Sequence, residues 1–209
     1  MYHYVEKEQV KRYNSYCQNV LNRLRAKLKE KYSIESKIVL IGSGAEDMVT
    51  RNGKGPFDLD YNLVLTSVPQ NYEDAPGLCR NRVREMLNGL VDRRFSKGKG
   101  STSSIRYIAL SQDRKKMVFS FDVALIREKD GKYKLVHNKG ENVFIWNQVP
   151  YSRNLDKKIK GIRKSGKWSD VEMAYLDLKN MYLRRNDRNH PSFIVLAEAV
   201  NQVYQSLDD

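Results

Sequence analysis

Between Ile38 and Leu65 the chain reads IVLIGSGAEDMVTRNGKGPFDLDYNLVL, and from Phe57 onward that stretch alternates polar with apolar residues. Asp58, Asp60 and Asn62 share one parity while Leu59, Tyr61 and Leu63 share the other. The two-residue period of a strand therefore puts both carboxylates on one face, with apolar side chains on the opposite face. Like charges held side by side are unfavourable without a cation between them, and hard carboxylate oxygens suit Mg²⁺ or Mn²⁺ bound together with substrate phosphates. Upstream, the apolar run from Ile38 to Ile41 stops at Gly42-Ser43-Gly44. Glycine tolerates positive φ and lets the main chain approach a ligand closely, so a phosphate could sit at this turn.

A third acid stands in a second apolar run, KMVFSFDVALIR, from Lys116 to Arg127. Ser120, Asp122 and Ala124 lie on one parity of it, with Phe119, Phe121, Val123 and Leu125 on the other, and Asp122 is its only acid. Pairing of this strand beside the Asp58 strand would gather three carboxylates at one end of a sheet. That set can hold two metal ions for in-line phosphoryl or nucleotidyl transfer.

Gly-Ser, then a strand with Asp-x-Asp, then a later strand with one Asp is the pattern of the DNA polymerase β-like nucleotidyltransferase superfamily, which the chain resembles from about Lys37 to Ile126. Within it the chain looks most like the oligoadenylate synthetase and cyclic-GMP-AMP synthase-like branch, which includes bacterial cyclic-oligonucleotide synthases. The resemblance implies an α+β nucleotidyltransferase fold: a mixed sheet flanked by helices, divided into a core over 1–140 and a small C-terminal helical lobe over 141–209. It implies a nucleoside triphosphate, ATP or GTP, with phosphates against Gly42 and Ser43, and Mg²⁺ or Mn²⁺ held by the catalytic residues Asp58, Asp60 and Asp122. Asp177-Leu-Lys-Asn-Met-Tyr182 resembles the helical segment that sets a lysine against the triphosphate, which makes Lys179 a further nucleotide-binding candidate. The interval from Ser43 to Asp58 is a few positions longer than in compact members, and the residues from Arg51 to Pro56 are expected to loop out there. The resemblance leaves acceptor and product open. It also leaves open a catalytically silent nucleotide- or nucleic-acid-binding module on the same fold.

Length and composition agree with one core plus a small appendage: 209 residues, 40% hydrophobic and 30% charged, with no apolar run long enough to span a bilayer. The start, MYHYVEKEQVKRY, lacks an apolar signal region, reads as helical, and places the chain in the cytoplasm. Cys17 and Cys79 are too few for a disulfide framework, and His3, His137 and His190 lack metal-ligand spacing. The net charge of +13 points to polyanions, so RNA or DNA is a candidate acceptor or activator. Lys97-Gly-Lys-Gly-Ser-Thr-Ser-Ser104 reads as a flexible basic loop able to touch phosphate.

Periodicity predicts an amphipathic helix from Glu6 to Lys31, a second between Asp74 and Phe95, and strands at Ser103–Leu110, Met117–Arg127 and Tyr133–His137. Asp130-Gly131 supplies the hairpin turn between the last two strands. Ser43 is expected to cap a short helix from Glu46 to Thr50. Beyond residue 140 the pattern turns helical. A helix over Asn154–Lys164 carries Leu155, Ile159 and Ile162 on one face, Ser169–Glu172 reads as a capping box, and Pro191 is set in the first turn of a last helix. Trp146 and Tyr151 fall in the connection as aromatic anchors.

Overall fold

The computed structural model describes residues 1–140, 143–149, 153–187 and 189–207; Tyr151 lies outside them. The chain begins with a strand rather than a helix. Tyr2–Tyr4, β1, pairs antiparallel with Thr50–Asn52, β3, so the aromatic start and the stretch expected to be a short helix instead make a ribbon. Asp47, at φ 59°, breaks any helix there, and β-branched Val49 and Thr50 favour the extended state.

Helix α1 (Lys7–Tyr32) follows the expected bounds and buries Cys17, Val20, Leu21, Leu24 and Leu28 on one face. The second expected helix, Asp74 to Phe95, is α4 (Pro76–Asn88), shortened at its end and preceded by a separate short helix, α3 (Gln70–Asp74). Pro76 disfavours helical backbone at Ala75, which sits at φ −124° and ψ 74°, so α3 is cut from α4. Helix α4 stops at Gly89, and Phe95–Lys97 is a strand, β5.

The main sheet runs β2 (Glu35–Ile41), β4 (Phe57–Ser67), β7 (Met117–Lys129), β6 (Ser104–Leu110), β5. β4 and β7 are parallel while the other pairings are antiparallel. Strand β7 is long enough to change partners along one edge. It pairs with β6 as far as Ala124 and with β8 (Lys132–Asn138) from Ile126. The β7–β8 hairpin turns at Asp130 and Gly131, both with positive φ, as the Asp-Gly pair predicts. Strand β9 (Phe144–Gln148) extends β8, so the sheet continues past residue 140, where helices alone were expected. Trp146 belongs to this strand. Its indole N–H donates to the Glu73 carbonyl at 2.8 Å and its ring packs on the main core.

That core lies between the sheet and helices α1 and α4. Leu59, Tyr61, Leu63, Phe119, Phe121, Val123 and Leu125 meet Leu21, Leu24, Leu28, Val83 and Leu87 there. A second cluster joins α5 (Arg153–Lys164), α6 (Trp168–Arg184) and α7 (Ser192–Gln205) around Ile162, Val171, Tyr175, Ala199 and Val200, with Met48 inserted from the other half of the chain. Two helix starts differ from expectation. Lys167 precedes α6, so Ser169 falls inside the first turn, where Trp168 is held under the Arg163 guanidinium at 4.1 Å. Pro191 is the residue before α7 rather than its first turn, and the inward stripe is Val195, Leu196, Ala199, Val200 and Val203. No described helix is long and apolar enough to cross a membrane.

Candidate active site

Strand alternation and register together build the site. In β4, Phe57, Leu59, Tyr61 and Leu63 are buried, which turns Asp58, Asp60 and Asn62 to the other face. The parallel pairing sets Asp60 opposite Asp122 and Asp58 opposite Ser120. Asp58, Asp60 and Asp122 each offer an oxygen within 4.8 Å of the others. On the opposite edge of β4, Ile41 pairs with Asp60, so β2 ends level with the carboxylates and the chain turns beside them.

Gly42 makes that turn at φ 63°, and a Cβ added there would stand 3.5 Å from Asp60 Oδ2. Residues Gly42–Ala45 form a single helical turn, α2, in place of the expected helix over Glu46–Thr50. The Ser43 carbonyl accepts the Met48 N–H at 2.8 Å, closing the loop on itself. Gly44 serves packing: a Cβ there would come within 2.9 Å of Leu59 Cδ2.

Asp122 is the most enclosed of the three acids, at 6% exposure. Its Oδ1 accepts the Ser104 hydroxyl at 2.8 Å, and its Oδ2 accepts Arg106 Nε at 2.9 Å and Nη2 at 2.5 Å. Arg106 lies directly opposite Asp122 in the β6–β7 register. Asp60 is pushed up to about 7, by burial first and then by the charges of Asp58 and Asp122, with Arg106 opposing. One guanidinium thus faces three carboxylates and leaves a cluster of net negative charge, the electrostatic setting in which a divalent cation is strongly attracted.

Lys179 comes to this neighbourhood from α6. Its Nζ donates to Thr50 Oγ1 at 2.9 Å, Ser192 Oγ at 3.1 Å and Tyr175 OH at 3.4 Å, and stands 4.5 Å from the centre of the Tyr2 ring. Burial lowers its pKa while the charge of Asp58 raises it. Of the six residues singled out in the sequence, five surround the β4–β7 carboxylates and the turn before them. Lys179, on α6, feels the charge of Asp58 but makes its side-chain hydrogen bonds to Thr50, Ser192 and Tyr175.

Ser104 and Arg106 were not anticipated as site residues. A signal for Arg106 was present: in SIRYIAL it is the only charge, as Asp122 is the only acid of the apolar run in β7. Pairing the two required the strand register.

No protein-family model and no curated protein matches the sequence. Solved structures do match. The Escherichia coli DncV structure with 3′-deoxy GTP bound superposes with a TM-score of 0.64 at 11% identity, over 94% of this chain and 68% of that one. The structure of CdnC from E. coli MS115-1 with ATP gives 0.54 at 16% identity, over 97% and 66%. Vibrio cholerae DncV, the cyclic AMP-GMP synthase in complex with the linear intermediate pppA(3′,5′)pG, gives 0.57 at 14% identity, over 83% of this chain and 48% of that one. The chain spans about half the length of the Vibrio cholerae structures it matches. Likeness at such identity is likeness of fold: the chain shares with these nucleotidyltransferase-fold structures a mixed sheet flanked by helices.

Proposed function

We propose that the protein transfers a nucleoside monophosphate from ATP or GTP to an acceptor hydroxyl, releasing pyrophosphate. The observation that carries this reading is the convergence of Asp58, Asp60 and Asp122 within 4.8 Å beside the Gly42-Ser43 turn. Triphosphate as the donor is supported by the fold neighbours, whose structures hold ATP, GTP or their 3′-deoxy forms.

Three hard oxygens with unbalanced negative charge suit Mg²⁺ or Mn²⁺, which Asp58, Asp60 and Asp122 would hold. Such ions, when bound, lower the acceptor hydroxyl's pKa and neutralise charge developing at the α-phosphate. The chain's own groups do the rest. Gly42 and Ser43 offer backbone N–H groups and a hydroxyl to the phosphates, and Lys179 supplies positive charge toward the triphosphate. Asp122 accepts the proton of the attacking hydroxyl, and Ser104 and Arg106 fix the direction of its carboxylate. The helices of the C-terminal lobe, which we place within 141–209, close over the nucleotide, and the basic surface favours a polyanionic acceptor such as RNA or DNA. A cyclic or linear oligonucleotide product fits this chemistry.

The Arg106–Asp122 pair favours a second reading, a nucleotide-binding module without turnover, because the guanidinium already neutralises one acid of the three. Incubation with labelled nucleoside triphosphates and Mg²⁺ or Mn²⁺, with and without nucleic acid, separates the two. Pyrophosphate release that falls about 100-fold or more in Asp60→Asn and Asp122→Asn supports the transferase. Binding of ATP without release in any condition supports the module.

A further inference from the structure

Outside the carboxylate cluster, one small cavity gathers cations with almost no acid to meet them. It lies where the loop after β5 folds against the start of β6 beside α4, lined by Arg80, Arg84, Lys97, Gly98, Gly100 and Arg106. Arg106 is already committed to Asp122 through Nε and Nη2. Arg80, Arg84 and Lys97 form no ion pair among the described residues.

Arg80 is the informative member. It is 8% exposed, its Nη2 donates to the Ser104 carbonyl at 3.2 Å, and its guanidinium lies 4.9 Å from the centre of the Phe144 ring. Its Nε–H is buried with no acceptor among the described residues. Buried guanidinium donors are normally satisfied, so a vacant one lining a cavity points to an acceptor from outside the chain. Burial lowers the Arg80 pKa, and the charge of Arg84 lowers it further. The backbone is fitted to the same corner. A Cβ at Gly100 would collide with the Ser104 carbonyl, and one at Gly98 would come 2.7 Å from Arg106 Cγ, so the loop can lie this tightly on β6 only with glycine.

We infer that Arg80, Arg84 and Lys97 form a binding site for one phosphate group, separate from the carboxylates and linked to them through Arg106. Arg84 Nη2 donates to Asn81 Oδ1 at 3.3 Å, but none of the three cations meets a carboxylate among the described residues; three such cations suit a dianion, and the arginine fork suits a tetrahedral oxyanion. At about 50 Å³ the cavity is small enough to be filled by one such group. The phosphate belongs either to a nucleotide or to the free inorganic ion, and the same chemistry binds both.

Calorimetric titration of inorganic phosphate at constant ionic strength, without divalent ions or triphosphate, tests the site apart from catalysis. Wild-type protein should show one site, weakened about tenfold or more in Arg84→Ala/Lys97→Ala. Both side chains are exposed, so the variant should keep its circular dichroism and melting temperature. Lys97→Ala alone, at the exposed end of β5, should lose affinity in the same direction. Absence of binding in wild type, or equal binding in the double variant, overturns the inference. Competition by AMP but not by adenosine assigns the phosphate to a nucleotide, and competition by neither assigns it to the free ion. Both results keep the site. Adenosine competing as well as AMP overturns it. Failure here would leave pyrophosphate release untouched, while loss of the transferase reading would leave phosphate binding intact.

Discussion

Asp60 shows most directly what a residue's surroundings do to its chemistry. Its folded pKa is about 7 against an ordinary 3.8. Between about pH 4 and pH 7 the folded chain therefore holds a proton that the unfolded chain has released, so stability falls as pH rises through that window, by on the order of a few kcal/mol. Metal-free protein should show a melting temperature that declines over this range. Asp60→Asn should flatten the decline and melt higher than wild type above pH 7. Thermal denaturation across pH in chelator measures both. Arg106 works in the opposite sense: it neutralises Asp122, which is almost fully enclosed. Arg106→Ala would strand that carboxylate and should lower stability by about 2 kcal/mol, reduced from the fully buried case because the guanidinium is partly exposed. The urea midpoint reports it, and an unchanged midpoint would mean that Ser104 alone satisfies Asp122.

At the scale of elements, the site depends on where strands end and how they are paired. Gly42 turns the chain in a left-handed conformation level with Asp60. Gly42→Ala should cost about 1 kcal/mol in conformational strain and should impair triphosphate binding more than that loss of stability accounts for. Comparing the urea midpoint with ATP affinity in the same variant checks this, and equal ATP affinity would remove the turn from the phosphate site. Alternation made β4 and β7 legible from the sequence, because each carries a clean two-residue pattern with its acids on one parity. The helix expected over Glu46–Thr50 failed because its competitor was remote: β3 exists only where β1, nearly fifty residues earlier, lies beside it. Strand β5 was hidden for a related reason. Three residues are too short to show a period, and Phe95–Lys97 becomes a strand by pairing with β6.

Across the whole molecule, the chain passes from one hydrophobic cluster to the other at Met48 and Val49, consecutive residues of which Met48 belongs to the second and Val49 to the first. Met48 comes from the loop after α2, is fully buried, and belongs to the cluster formed with residues of α5, α6 and α7. Met48→Ala should cost about 2–4 kcal/mol and loosen the lobe against the Gly42-Ser43 turn. Hydrogen exchange should rise in α6 and α7 while the β4–β7 core keeps its protection. The sequence alone settled the acids, their parity, the glycine turn and the basic balance, because period and backbone freedom are local properties. Tertiary structure alone decided that Arg106 clasps Asp122, that Lys179 crosses from α6 to Thr50, and that Arg80 is buried with no acceptor for its Nε–H among the described residues. Each of these depends on which distant segments share an edge, and the free energy of that choice lies in burying the whole core rather than in any local run of residues.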